Sequence, residues 1–198
     1  MGDDVTLVTA AELMQHRLLP PRFIVPGLIP EGLTVLAARP KTGKSWLALG
    51  ASLAVANGSQ FMGLPVDEGE VLYVAAEDTP QRLRARLHTL CKVDRPTDAL
   101  HLSCSWPLLG DGGLDQLEQW LAAHRRARLV VLDTLGRLAG TGGGSYAKEY
   151  QRLAEIKTLA DRRRVACLVI SHLRKATAGG NWTDAIMGSS AIVGAADC

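Results

Sequence analysis

No apolar run in this sequence approaches the roughly 18 residues of a membrane-spanning helix. The opening Met-Gly-Asp-Asp has no leader pattern. The expectation is a cytoplasmic protein with no membrane partner. A field of one sign is missing as well: 22 Lys and Arg stand against 20 Asp and Glu, a net charge of +2. Any basic patch for nucleic acid must therefore be local. Metal-ligand cysteine spacing is absent, because Cys91, Cys104, Cys167 and Cys198 are scattered without a C-x-x-C pair. Cys104 and Cys167 lie in apolar runs and read as buried thiols. Nothing in the composition divides the chain. Its 198 residues, 47% hydrophobic and 21% charged, suit one sizeable core.

What is present is concentrated in Ala38-Arg-Pro-Lys-Thr-Gly-Lys-Ser45. An apolar run, Leu33–Ala37, precedes it and the apolar segment Trp46–Ala56 follows, which reads as strand, loop and helix. In the pattern G-x-x-x-x-G-K-[ST], successive backbone N–H groups curl round a phosphate, the lysine reaches its β/γ oxygens and the hydroxyl ligates Mg²⁺. The helix beginning near Lys44 turns its positive end toward the same anion. Arg39, Pro40, Lys41, Thr42, Gly43, Lys44, Ser45 and Trp46 are thus the expected nucleotide-binding residues, and Ser45 an expected metal ligand. Ala38 stands where the pattern opens on glycine. Alanine tolerates a tight turn unless φ must be positive, so it should alter loop detail more than phosphate binding.

Around this loop the chain alternates short apolar runs with helical stretches. The runs Val71–Ala76, Leu100–Ser103, Leu129–Leu132 and Val165–Ile170 are continuous rather than alternating, the mark of strands buried on both faces of a parallel sheet. Between them, Pro80–Leu90 reads as a helix carrying Arg82, Arg84 and Arg86 on a solvated face. Leu114, Leu117 and Leu121 mark a second helical face, and Tyr150, Leu153, Ile156 and Ala160 a third, ending in the dipole-complementing Arg162-Arg163-Arg164. The expected fold class is α/β: a three-layer α/β/α sandwich with a mainly parallel sheet and the ligand at the carboxyl ends of its strands. Ahead of it, residues 1–27 read as an N-terminal arm and 28–198 as the domain. The arm holds a helix over Ala10–Leu19, and the proline-broken Arg22–Pro30 reads as a segment packed across an edge rather than a sheet strand.

Hydrolysis needs a metal ligand, an activated water and neutralised charge at the γ-phosphate. Leu129-Val-Val-Leu-Asp133 ends four apolar residues in an aspartate, where Asp133 would hold the hydration shell of Mg²⁺. Threonine, not glutamate, follows it, so the water-activating carboxylate must come from another strand. Glu77, after Val71–Ala76, is the expected general base. The last strand runs into Ser171-His172, and His172 is the expected γ-phosphate sensor. His16, His88, His101 and His124 lie off this line of strand ends and receive no role.

The order Ala38–Ser45, Glu77-Asp78, Asp133, Ser171-His172 and Met187-Gly-Ser-Ser190 resembles the RecA-like P-loop ATPases of the AAA-25 / RepA-type hexameric helicase group. Leu28-Ile-Pro-Glu-Gly32 and His172-Leu-Arg-Lys175 add to the likeness, which covers residues 28–197. The resemblance implies ATP and Mg²⁺ bound between the subunits of a homo-oligomeric ring or filament, with Glu77 as base and a basic residue from the next subunit. Met187 occupies the position where the helicase branch often has that arginine, which leaves Arg174 or Lys175 as the candidates. The loops Ala139–Ser145 and Ala176–Thr183 match those that line a central channel in related motors. Trp182 would stack on single-stranded DNA there, with Arg174 or Lys175 on phosphate. The resemblance also implies a further strand after Asp197, beside the phosphate-loop strand, unless Arg22–Pro30 protects that edge. The expected function is an ATP-hydrolysing replication or recombination motor. An ATP-dependent switch or helicase-loader with little turnover is the alternative, and the lack of an arginine-rich lid disfavours a phosphotransferase.

Overall fold

The computed structural model describes residues 7–15, 22–91, 97–140, 146–172 and 196–198. It opens on α1 (Ala10–Gln15), whose start is a reciprocal cap: Thr9 Oγ1 accepts from the Glu12 amide and Glu12 Oε2 from the Thr9 amide. The expected continuation to Leu19 lies outside the described residues. Strands β1 (Phe23–Val25) and β2 (Ile29–Pro30) form an antiparallel ribbon, turned through Gly27 at φ 72°. Then come β3 (Gly32–Ala38), α2 (Lys44–Asn57), the small ribbon β4 (Gln60–Phe61) and β5 (Leu64–Pro65), and β6 (Glu70–Ala75). They are followed by α3 (Pro80–Leu90), β7 (Leu100–Ser103), α4 (Leu114–Ala123) and β8 (Ala127–Asp133). The short α5 (Leu135–Ala139), the long α6 (Tyr146–Arg163) and β9 (Ala166–His172) complete the body.

Among the described residues the main sheet has five strands in the order β3-β9-β8-β6-β7, and every pairing is parallel. Its two faces bury alternate residues of the same apolar runs. On one face Val71, Tyr73, Leu129, Val131, Leu168 and Ile170 pack with α2, α3 and the β1–β2 ribbon. On the other, Leu72, Val74, Val130, Leu132, Cys167 and Val169 pack with α4, α5 and α6. The strands therefore read as continuous hydrophobic runs because each has a helical layer above and below. The result is the three-layer α/β/α sandwich.

Particular segments depart from the sequence reading. The strands span Glu70–Ala75, Ala127–Asp133 and Ala166–His172, each displaced or extended by a residue or two from its apolar run. Arg22–Pro30 stays out of the main sheet but does not guard the free edge of β3; Ile24, Val25 and Ile29 are buried in the face under α2. The edge is met instead by the last residues. The Asp197 amide donates to the Leu33 carbonyl at 2.8 Å, and the Val35 amide to the Cys198 carbonyl at 2.9 Å. Asp197 Oδ2 also accepts from the Leu33 amide at 2.9 Å, so this short stretch satisfies edge groups of β3 that would otherwise stand open. Cys167 is buried and its thiol is pushed up to about 12 by desolvation, whereas Cys104 is only half-buried, one residue beyond β7. Leu153, Ile156 and Ala160 form the buried stripe of α6, but Tyr150 is 45% exposed.

Candidate nucleotide site

The phosphate loop connects β3 to α2 through two positions with left-handed backbone. Gly43 stands just before α2 at φ 95°, in the left-handed region where a β-carbon is strained, although nothing lies near enough to clash with one. Lys41 also has positive φ, at 64°. Ala38 does not: it ends β3 in register with His172, an extended position that alanine fills without strain. The Thr42 hydroxyl closes the loop on the Arg39 carbonyl at 2.8 Å. Arg39 contributes that carbonyl, while its side chain is exposed and outside the cavity wall.

Lys44 opens α2 with its ammonium turned back into the loop. Only 7% of the residue is exposed. Its Nζ donates to the carbonyls of Ala38 at 2.8 Å and Arg39 at 3.0 Å, and lies 3.3 Å from His172 Nδ1. An ammonium only donates, so Nδ1 accepts, and a neutral His172 carries its proton on Nε2, 3.8 Å from Glu77 Oε2. Burial lowers the Lys44 pKa below its ordinary value, and the negative charges of Asp133 and then Glu77 work against that shift. The lysine thus rests on carbonyl oxygens of its own loop, close to two carboxylates.

Asp133 ends β8 in register with Ala75 on one side and Ile170 on the other. It is 5% exposed, and the hydroxyl of Tyr73 donates to its Oδ2 at 2.8 Å. Tyr73 lies on the same face of β6 and approaches the Ser45 carbonyl at 3.3 Å, tying the aspartate to the start of α2. Desolvation, reinforced by Asp133, pushes the phenol well above its ordinary pKa, so it stays a donor. Glu77 leaves the tip of β6, and Thr134 Oγ1 donates to its Oε1 at 2.7 Å. One hydroxyl beyond Asp133 therefore orients the carboxylate from the neighbouring strand.

The expected solvated face of α3 holds for Arg82, which is exposed, but not for Arg86, whose side chain is only 25% exposed. Arg82 Nε lies 2.8 Å and Arg86 Nη1 2.5 Å from Asp78, and Arg82 Nη2 donates to the Glu77 carbonyl at 2.8 Å. The Arg86 guanidinium also sits over the Trp46 ring, 5.6 Å from its centroid. Arg84, between them, is exposed. Both clamping arginines were legible in principle, because they stand four and eight residues after an acid that precedes a helix. Thr79, not Glu77 or Asp78, caps that helix, accepting from the Arg82 amide at 3.3 Å.

Residues 40–46, Glu77, Asp78, Arg82, Arg86, Asp133, Thr134, Ile170 and His172 line one cavity of about 600 Å³. The volume lies in the range of small-molecule sites. Arg174, Lys175, Trp182 and Met187 lie outside the described residues, as does all of the loop Ala139–Ser145 beyond Gly140. The residues suit a magnesium ion. The Ser45 hydroxyl and Asp133 share the cavity wall, and among the described residues only one Asp133 oxygen is taken by a hydrogen bond.

A phosphate loop entering α2 from the edge strand, with the tips of β6, β8 and β9 converging on it, defines a RecA-like P-loop ATPase domain. More specifically, a family profile described as an AAA domain, AAA-25, matches residues 4–178, and the chain belongs to that family. Among solved structures it is similar to the "ATPase Domain of G40P", at 14% identity and a TM-score of 0.61, covering 84% of this chain and 67% of that one. It is also similar to a DnaB-like replicative helicase, solved in a study of its interactions with primase, at 14% identity and a TM-score of 0.62. That match covers 86% of this chain, which spans less than half, 46%, of the helicase. These likenesses are of fold.

Proposed function

We propose that this domain binds and hydrolyses ATP as the motor unit of a homo-oligomer acting on single-stranded DNA in replication or recombination. The observation that carries the reading is the convergence of Lys44, Ser45, Glu77, Asp133 and His172 from four parallel strands on one cavity. The likeness to replicative-helicase ATPase domains supports the class of motor.

In this reading the amides of residues 41–45 and the N-terminal end of α2 receive the phosphates. Lys44 exchanges its loop carbonyls for β/γ oxygens, which are better acceptors for an ammonium because they are charged. Ser45 and Asp133 would hold magnesium, which when bound neutralises charge between the β- and γ-phosphates. Glu77, held by Thr134, accepts the proton of the attacking water. His172, already hydrogen-bonded to Lys44 and facing Glu77, is positioned to register whether a γ-phosphate stands between them. The basic residue that completes charge neutralisation is assigned to Arg174 or Lys175 of an adjacent subunit. The loops at 139–145 and 176–183 are assigned to DNA.

The deciding experiment measures ATPase rate per subunit against protein concentration, with and without single-stranded DNA. A rate that climbs with concentration and again with DNA is the expected result. Flat turnover under every condition would overturn the motor reading. Single-turnover binding without release would leave the switch or loader reading in its place.

A further inference from the structure

The opposite, amino end of the sheet carries a second cluster. Glu70 opens β6, His101 is the second residue of β7, and His124 follows the last turn of α4. One ligand atom from each residue lies within 4.8 Å of the other two. His101 Nε2 is 3.9 Å from Glu70 Oε1, too long for a hydrogen bond, and among the described residues that buried nitrogen has no hydrogen-bond partner. Buried polar atoms nearly always have a partner, so an orphaned imidazole nitrogen beside a carboxylate asks for one.

The other two residues are already oriented. His124 Nδ1 lies 2.8 Å from the Trp120 carbonyl, which can only accept. In the neutral ring the proton is therefore on Nδ1, which leaves the lone pair on Nε2. That backbone contact is the one that fixes the tautomer behind metal-bound histidines. Glu70 Oε2 accepts from the Arg126 amide at 3.3 Å, leaving Oε1 on the side of His101. The indole of Trp120 holds both rings, stacked on His124 at 4.2 Å and edge-on to His101 at 5.4 Å. The cluster also meets the carboxyl end of α4, whose dipole favours a cation.

We propose that Glu70, His101 and His124 form a binding site for a divalent transition-metal ion, Zn²⁺ by preference, at the end of the sheet away from the nucleotide cavity. Two imidazoles and one carboxylate are a borderline-soft donor set that suits zinc over magnesium or calcium, with water in the fourth position. Ligand atoms around tetrahedral zinc stand about 3.3 Å apart. The ligand atoms, now within 4.8 Å of one another, would draw together on binding, and the His101 and Glu70 side chains, 34% and 26% exposed, are not locked in the core. The ion would tie β6, β7 and α4 together, acting on stability rather than on phosphate chemistry.

The test titrates Zn²⁺ into the full chain, free of any histidine tag and stripped with EDTA, following heat of binding and Tm. The expected result is one ion per chain, and a Tm rise of about 5–10 °C at a hundred times the Kd. Co²⁺ in its place should give the strong visible absorption of a tetrahedral site. Glu70→Gln and the double variant His101→Ala/His124→Ala should each weaken binding at least about tenfold and lose the Tm rise. No saturable binding by the wild type, or equal affinity in both variants, overturns the proposal. Should the double variant not fold, Glu70→Gln and the Co²⁺ spectrum decide alone.

Discussion

The two ends of the same five strands are chemically sorted. At the carboxyl end, α2 begins at Lys44 and a buried ammonium waits on neutral carbonyls. At the amino end, α4 finishes at His124 and α6 at Arg162 and Arg163, which pair with Glu118. Connections between parallel strands must return the chain from the carboxyl end to the amino end, so helix starts gather at one end and helix finishes at the other. The partial charges of the helices therefore favour an anion at the first end and cations at the second. The difference teaches that much of the site's electrostatics is a property of the topology, to which Glu77, Asp133 and His172 add the chemistry.

Lys44→Ala should have the largest effect. Losing a charged donor to phosphate at a buried position costs about 3 kcal/mol, a hundredfold or more in ATP affinity. Titration calorimetry reads it, and an unchanged affinity would mean that the carboxyl end does not select anions as argued. Glu77→Gln comes next. It should preserve ATP affinity within about twofold while hydrolysis falls about 10²–10³-fold, since only proton acceptance is removed. Undiminished hydrolysis would move the base to Asp78.

Tyr73→Phe probes how far the site is braced by the sheet below it. It leaves Asp133 Oδ2 without its partner, so urea denaturation should show a loss of about 1–2 kcal/mol. ATP affinity should fall more in the presence of magnesium than in its absence, and equal effects would argue that the phenol only packs. The smallest expected effect is chemical. At pH 8 iodoacetamide should label exposed Cys198 and spare Cys167, whose thiol stays protonated until about pH 12 in the folded protein. Labelling of both at similar rates would show that the sheet opens far more readily than its buried strands imply.

The elements were legible for a definite reason. A strand covered on both faces must be apolar at consecutive positions, so Val71–Ala75 and Leu129–Leu132 announce themselves. The phosphate loop was equally plain, since Gly43, Lys44 and Ser45 are set by local backbone geometry. The clamp on Asp78 was missed because a run of arginines on a polar helix has the same composition whether it faces water or a carboxylate. His101 and His124 had no local signal at all: 23 positions apart and outside any spacing motif, they meet only because β7 starts beside the end of α4.

The chain by itself determined that a phosphate loop stands between a strand and a helix, and that acids end two of the later apolar runs. Those features follow from nearest-neighbour geometry, which a linear pattern records directly. Tertiary structure decided which tips are adjacent. It gave Asp133 to Tyr73, Glu77 to Thr134 and Lys44 to His172, and it gathered the imidazoles at the far end. Strand order and register arise from packing two helical layers against both faces at once, a condition written in no single stretch of sequence.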